Sequence, residues 1–331
     1  MDFLLPSQRF HIKELSSNKA TDTLKQDVLA GLFSCPRSLP PKYFYDDEGS
    51  KLFDAICQTE DYYPTRSESQ LLREYAEQII EVVNPNSCAE LGAGTSTKTE
   101  ILLSQIFTGQ KLDAFTYLSI DVCAEVLVES AHRLLSKYEN LYIQSIVGEY
   151  IPAIQAASKL DGPTLYAFIG SSIGNFTEQE SIEFLSEVAT KMTAKDYFLI
   201  GMDRVKDKGV LERAYDDREG VTAKFNLNVL SVLNNKLGAD FDLSKFSHQA
   251  TYNEQLQQIE MYLISQTSQD IRFSALDKTI SLEGGEKILT EVSRKYTKLS
   301  IEHLLDKSGL MEAAHFQPAN EYFSLMLAKR K

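Results

Sequence analysis

The chain has 331 residues, 43% of them hydrophobic and 24% charged, enough apolar material for one large folded domain or two of ordinary size. A formal net charge of -13 argues against a sequence-independent grip on nucleic acid, which needs clustered Lys and Arg against the phosphates. Cys35, Cys57, Cys88 and Cys123 form no Cys-x-x-Cys pair, and the five histidines form no i, i+4 pair around a glutamate, so neither a disulfide framework nor a metal site is expected. No run of eighteen apolar residues occurs and residues 1–10 lack a basic segment followed by a long apolar one, so no membrane span is expected and the expected location is the cytoplasm.

In chain order, residues 20–33 set Leu24, Val28, Leu29 and Leu32 at helical spacing behind Thr21 and Asp22, which predicts an amphipathic helix with a capped start. Pro36, Pro40 and Pro41 then fix an extended path into the aromatic loop Lys42-Tyr43-Phe44-Tyr45-Asp46-Asp47. A short helix at 50–57 precedes Asp61-Tyr62-Tyr63-Pro64-Thr65-Arg66. Aromatics in loops bordered by proline suit the walls of a pocket, and they also suit the edge of a core. A helix over 67–83 ends at the turn Asn84-Pro85-Asn86.

Strands and helices then alternate. Strands are predicted at 87–91, 114–120, 141–147, 164–169 and 197–202, and helices at 97–107, 124–138 and 178–192, a rhythm that implies a parallel, doubly wound α/β sheet. Gly92, Asp121, Glu149, Asn175 and Asp203 all fall at strand ends, where such sheets bind ligands. After Asp203 the rhythm breaks. Helices at 206–218 and 223–237, a polar connection at 240–243, an extended run at 249–265 and short strands at 271–273 and 279–282 fit no further crossover, so this block reads as an insertion carrying a substrate site. A helix at 300–307 and a strand at 323–328 return the chain to the sheet.

The stretch Glu90-Leu91-Gly92-Ala93-Gly94 closes the first strand of the alternation. Two glycines around one small residue let the backbone bend sharply and approach a ligand closely. Thr97 stands where a dinucleotide fingerprint wants a third small residue, so the turn suits a nucleoside ligand without a pyrophosphate, such as S-adenosylmethionine, as well as it suits an ordinary strand-to-helix turn. Asp121 is placed to accept from two ribose hydroxyls, or to cap the helix that follows, and Glu149 to lie near the adenine amine. Methyl transfer from a sulfonium is an in-line displacement that needs a positioned nucleophile and no metal or covalent residue.

The sequence resembles the histidine-specific N-alpha-methyltransferases of ergothioneine biosynthesis over nearly its whole length. The resemblance is carried by Ser38-Leu39-Pro40-Pro41-Lys42, Tyr62-Tyr63-Pro64-Thr65-Arg66, Glu90-Leu91-Gly92, Gly170-Ser171 with Ile173-Gly174-Asn175, Arg213-Ala214-Tyr215-Asp216-Asp217, and Thr290-Glu291-Val292-Ser293. It implies a Rossmann-like class I methyltransferase domain over 66–204 and 296–331, with a substrate-binding domain from 1–65 and 205–295. The implied reaction is S-adenosylmethionine-dependent trimethylation of the amine of free L-histidine to hercynine, with no obligate protein partner. Carried over position by position, the resemblance implies that Tyr62, Asn175 and Tyr215 hold the amino and carboxylate groups of histidine, with Tyr45 near the amine and Tyr45 and Asn175 closest to the reacting atom. Glu291 and Ser293 would bind the imidazole and Met261 line the pocket, while Gly92, Lys98, Asp121, Glu149, Tyr150 and Gly170 would border the cofactor. Glu149-Tyr150 departs from the family's Asp-Phe: the charge is kept on a longer arm.

On an extended segment Glu291 and Ser293 point to one side and can meet both nitrogens of one imidazole, although spacing alone reads better as an exposed strand face. The alternative within the family is another free amino acid, such as a tryptophan derivative, whose apolar pocket should lack a carboxylate like Glu291. A non-catalytic S-adenosylmethionine-binding protein would not need Tyr62, Asn175 and Tyr215 together.

Overall fold

The computed structural model describes residues 8–15, 17–109, 112–160 and 162–331, with side chains from residue 22 onward in the first helix. In chain order the elements are β1 (Phe10–Glu14), α1 (Ser17–Gly31), β2 (Arg37–Ser38), α2 (Asp47–Gln58), α3 (Tyr63–Val83), β3 (Ser87–Leu91), α4 (Thr97–Gly109), β4 (Phe115–Asp121), α5 (Ala124–Lys137) and β5 (Leu141–Val147). There follow α6 (Tyr150–Ala156), β6 (Thr164–Phe168), α7 (Glu178–Lys191), β7 (Tyr197–Asp203), α8 (Lys208–Tyr215), α9 (Val221–Leu237), β8 (Phe246–Asn253), β9 (Gln258–Ser265), β10 (Gln269–Phe273), β11 (Lys278–Leu282), β12 (Lys287–Arg294), α10 (Lys298–Lys307), β13 (Leu310–Phe316) and β14 (Phe323–Arg330). They fall into two compact units.

The first unit takes in β1, residues 64–204 and residues 296–331. Its eight-stranded sheet has the order β1-β5-β4-β3-β6-β7-β14-β13. All neighbours from β1 to β7 are parallel, and β14 enters antiparallel between β7 and β13. From β3 the chain winds outward through β4 and β5 on one side and through β6 and β7 on the other, so the order reverses between β3 and β6. That reversal opens a crevice beyond the carboxyl ends of the strands.

Because a strand alternates its side chains, each strand feeds two cores. Cys88, Tyr117, Leu165, Leu199, Leu325 and Leu327 join one cluster with Leu71, Leu72, Leu102 and Val128 of the covering helices. Their neighbours Ala89, Leu118, Tyr166, Phe198, Ile200 and Met326 join the other with Ile154, Phe184 and Ile301. Burying each large apolar side chain contributes about 1.5–3 kcal/mol, and burial on both faces is why these strands read as continuous apolar runs.

The second unit takes in residues 17–63 and 205–295. A four-stranded sheet of order β2-β12-β9-β8 is backed by α9, whose Phe225 ring lies 4.6 Å from that of Phe44. Phe44 ends the short 3-10 helix Pro41–Phe44, which Pro40 leads into. Asp46 caps α2 through the Gly49 N–H and also accepts from Asn228 of α9 at 2.7 Å, tying loop, helix and sheet support together.

The sequence expectations need correction in several places. The N-terminal segment does not belong wholly with the insertion: β1 pairs in parallel with β5, Phe10 opposite Ile143, and lies in the first unit. With only Phe10 of its five residues buried, β1 carries no alternation to reveal it. The run at 249–265 is a hairpin, β8 and β9, whose turn holds Gln257 at positive φ and uses the Asn253 side chain to accept from Leu256 N–H, in place of glycine or proline. The helix expected at 206–218 stops at Tyr215, because Asp217 turns to accept from the Val221 and Thr222 N–H groups and starts α9. β13, an edge strand buried only at its two ends and partly near one of them, and α6 were not anticipated.

Candidate active site

In the first unit the glycine turn is built against β4. Gly92 and Ala93 donate to the Ile120 carbonyl at 2.8 and 3.0 Å, and Gly94 donates to the Asp121 carboxylate at 2.8 Å. Gly92 and Gly94 both have positive φ, and a side chain on Gly94 would meet nothing within 4 Å, so the turn faces open space. Asp121 also accepts from the Cys123 N–H at 3.0 Å, at the start of α5. Asp121 thus fastens the turn to the residue that leads into α5, without capping the helix itself, and is half-buried. Burial pushes its pKa up, against the pull of the backbone donors at Cys123 and Gly94. A Cβ on Gly92 would lie 3.2 Å from the Tyr150 hydroxyl, and the Tyr150 ring packs edge-on against Phe168 and Phe184. Glu149, exposed, precedes Tyr150 at the end of β5.

On the other side of the strand reversal stand Lys98, Gly170 and Asn175. Gly170 and Ser171 both have positive φ, and the 3-10 helix Ser172–Asn175 follows, with its Ile173 carbonyl accepting from Tyr296 at 3.0 Å. Lys98 pairs with Glu68 of α3 at 2.6 Å, and the same carboxylate accepts from the Gly170 N–H at 2.9 and 2.8 Å. Glu68 is 1% exposed, and a Cβ on Gly201 of β7 would overlap it. Beneath the turn, Tyr117 donates to Glu90 and Ser96 lies 2.9 Å from the Tyr117 oxygen. Burial raises the Glu90 carboxyl to about 7, although Tyr117 and the Lys98 charge pull it down.

The second unit assembles the tyrosines with β12. Tyr62 and Tyr215 pack edge to face at 6.0 Å, Tyr62 lies 6.2 Å from Phe53, and Tyr45 lies 5.8 Å from Phe53. Burial, with Tyr215, Cys57, Glu291 and Tyr45 as electronegative neighbours, holds the Tyr62 phenol well above its usual pKa, so it stays protonated at neutral pH. β12 pairs antiparallel with β9, and a bulge at Thr290 sets Glu291 opposite Met261, which places both side chains on one face. Glu291 keeps some accessible surface, yet the protein around its carboxyl pushes its pKa up to about 7 against the charge of Lys295. Ser293 Oγ lies 2.8 Å from the Tyr215 hydroxyl, and Lys295 Nζ lies 2.8 Å from each of those oxygens. Behind Tyr215, His248 donates through Nε2 to the Tyr215 carbonyl at 2.8 Å and accepts at Nδ1 from Asn226, since a carbonyl can only accept and an amide NH2 only donate.

A model of the family described as histidine-specific, SAM-dependent methyltransferases matches residues 24–330 of this chain. The chain belongs to this family. It is 41% identical over 316 residues to the histidine N-alpha-methyltransferase of Mycolicibacterium smegmatis, covering 96% of this chain and 98% of that protein. It is 39% identical over 307 residues to the protein of the same name from Mycobacterium tuberculosis, covering 93% and 95%. With the L-tryptophan methyltransferase trpM of Psilocybe serbica it shares 27% identity over 336 residues, covering 93% of each.

This member of the histidine-specific methyltransferases therefore carries a class I methyltransferase sheet, and its candidate residues fall into two sets. Gly92, Lys98, Asp121, Glu149, Tyr150, Gly170 and Asn175 lie at strand ends, in the turns after them or in the first turn of the helices that follow, in the first unit; Tyr45, Tyr62, Tyr215, Met261, Glu291 and Ser293 lie in the second. Sequence reasoning missed Glu68 and Lys295. Nothing in helix periodicity distinguishes Glu68 from its exposed neighbours, but Lys295 continues the i, i+2 series of Glu291 and Ser293 and was legible there.

Two outcomes are expected from the first unit. Gly201→Ala should lower stability by about 1–3 kcal/mol, because Glu68 can yield only by giving up Lys98 or Gly170; an unchanged thermal midpoint would show that the carboxylate is not held there. The fold raises the Glu90 pKa above the usual carboxylate range, so between that range and about 7 the folded chain holds the proton more tightly than the unfolded chain, and stability falls as pH rises through the interval. Glu90→Gln removes this contribution, and its thermal midpoint relative to the parent should climb from about pH 5 to about pH 7.5. A difference that does not vary with pH would take the proton away from Glu90.

Proposed function

We propose that the protein transfers methyl groups from S-adenosylmethionine to the α-amino group of free L-histidine, three in succession, giving hercynine as the first step toward ergothioneine. The observation that carries this reading is Glu291, opposite Met261, with Ser293 two residues further along the same strand, within a set of tyrosines. A carboxylate and a hydroxyl two residues apart match the two nitrogens of an imidazole. An indole offers one N–H and no ring acceptor, and would leave part of this polar surface unpaired, which is costly in a desolvated site.

The strand-end residues suit S-adenosylmethionine on their chemistry. The open turn at Gly94 and the half-buried carboxylate of Asp121 fit a ribose diol, Tyr150 and Glu149 fit an adenine ring and its amine, and the Lys98 ammonium beside Gly170 fits the methionine carboxylate. When bound, the sulfonium supplies an electrophilic methyl group. The chain's part is then to hold the amine and keep water away. Tyr62, Asn175 and Tyr215 are assigned to the amino and carboxylate groups, with Tyr45 near the amine. A phenol held protonated, as Tyr62 is, orients a nitrogen lone pair and does not act as a phenolate base. No side chain is required to take the proton, which passes to bulk solvent before the amine is enclosed.

Incubation with S-adenosylmethionine and each amino acid in turn should yield, by mass spectrometry, a product with three methyl groups on the amine of histidine; no product from any amino acid would end the enzyme reading. Because the amine attacks only when deprotonated, the rate should rise toward mildly alkaline pH, and a rate flat across that range would show that another step is limiting. Glu291→Ala should weaken histidine binding by roughly 1.5–3 kcal/mol in calorimetry, the range for a hydrogen bond to a charged group. Unchanged affinity would remove Glu291 from the site.

A further inference from the structure

Lys295 is a buried cation, 2% exposed, immediately beyond the last residue of β12. Its backbone N–H donates to the Gln257 carbonyl at 2.7 Å, which fixes the main chain at this point. Its Nζ lies 4.5 Å from the centroid of the Tyr215 ring and 2.8 Å from both the Tyr215 hydroxyl and Ser293 Oγ, while those two oxygens are 2.8 Å apart. Three polar atoms thus form a closed triangle within one unit.

The proton count of the triangle has a definite outcome. An ammonium has only protons to give, so both oxygens accept from Lys295. One of the two hydroxyl protons lies between the oxygens, and the other must leave the triangle. The proton between them is that of Tyr215, because a phenol is a stronger donor than an aliphatic alcohol; with an apolar side chain at 295 this 2.8 Å bond would remain, but Ser293 Oγ would keep an open lone pair and could accept as well as donate.

We propose that Lys295 is a positioning residue for the amino-acid substrate: by filling the acceptor site on Ser293 Oγ that the Tyr215 proton leaves open, it leaves the Ser293 hydroxyl only its own proton to offer and aims it outward, at the ring nitrogen that carries the lone pair. A neutral imidazole has one N–H, which Glu291 accepts, and one lone pair, which Ser293 then fills. The Tyr215 oxygen, having given its proton to Ser293, serves as an acceptor for the substrate amine. Lys295 therefore acts through Ser293 and Tyr215 without touching the substrate, and couples recognition of the ring to that of the amine. This inference rests on the assignment of Tyr215, Glu291 and Ser293 to histidine binding.

The test is titration of the full chain with histidine and, separately, with S-adenosylmethionine, for the parent, Lys295→Met, Lys295→Arg, Ser293→Ala and the Lys295→Met/Ser293→Ala double variant. Lys295→Met is expected to raise the histidine Kd at least about tenfold, one hydrogen bond's worth, and to leave S-adenosylmethionine binding within about twofold. Lys295→Arg should recover part of the loss, and the double variant should bind histidine no more than about twofold worse than Lys295→Met, because both changes break one linkage. Should Lys295→Met fail to fold, Lys295→Gln, which keeps a donor, takes its place. A histidine Kd unchanged in Lys295→Met, losses that multiply in the double variant, or equal losses for both ligands would each overturn the proposal. A parent that binds S-adenosylmethionine but not histidine would overturn the functional reading itself, and is told apart because it appears before any substitution is made.

Discussion

Gly92 and Ala93 donate to a single acceptor, the carbonyl of Ile120 at the end of the adjacent strand. This shared bond locks the end of β3 to the end of β4, and the rest of the first unit's chemistry depends on it. With the turn held there, the Gly94 N–H meets Asp121, whose carboxylate is fixed by two backbone donors, Gly94 from the neighbouring turn and Cys123 beyond its own strand. A half-buried carboxylate held by backbone donors keeps its remaining lone pairs for a ligand. The strand reversal between β3 and β6 then leaves the Gly170 turn on the far side, where Glu68 ties it to Lys98. One carboxylate thus spans helix α3, helix α4 and the end of β6, so the position of the Lys98 ammonium is set by the packing of α3 against the sheet.

The doubly wound half of the chain was legible because its strands are buried on both faces and its turns carry glycine or acidic residues. β3 and β5 begin and end where the apolar runs do. The elements that escaped share a physical reason: β1 and β13 lie at the edges of the sheet and bury few side chains, so no alternation marks them. The β8–β9 turn escaped because an asparagine side chain and a non-glycine residue at positive φ do the work that glycine does elsewhere. Of the residues carried over by family resemblance, Asp121 ends β4 and Glu291 and Ser293 lie on β12, where side-chain direction follows from spacing; Tyr45, Tyr62 and Tyr215 lie in loops or at a helix end, where it does not. Glu68 was not legible, since its importance comes from Lys98 and Gly170, which are distant in sequence and meet it only in the fold.

On the proposed assignment, substrate choice rests on a few side chains of the second unit. The aromatic set of Tyr45, Phe53, Tyr62 and Tyr215 would accept any flat amino-acid ring. Selection for a ring with two nitrogens would then fall to β12, where a bulge at Thr290 turns Glu291 to the face shared with Met261. On the same assignment, a change at Glu291 would alter the polarity of the pocket and leave the aromatic walls in place. His248 and Asn226 support this arrangement from behind by holding the Tyr215 carbonyl, and burial keeps His248 neutral despite the nearby acidic charges.

Glu90 and Glu291 are both raised to about 7 by burial, yet they stand in different surroundings. Glu90 accepts from Tyr117, which is itself met by Ser96, in a network closed within the first unit beneath the turn. Its proton serves the fold, and its titration registers as stability. Glu291 retains an accessible surface and is pulled down by the Lys295 charge, whose hydrogen bonds go to Ser293 and Tyr215 in place of the carboxylate. A carboxyl near neutrality with an open face and a nearby cation can exchange its proton for a ligand's N–H, which a closed network cannot do. The shift in pKa therefore does not distinguish these two carboxylates; the neighbouring donors do, because they determine whether the charged form already has its partners or must find one elsewhere.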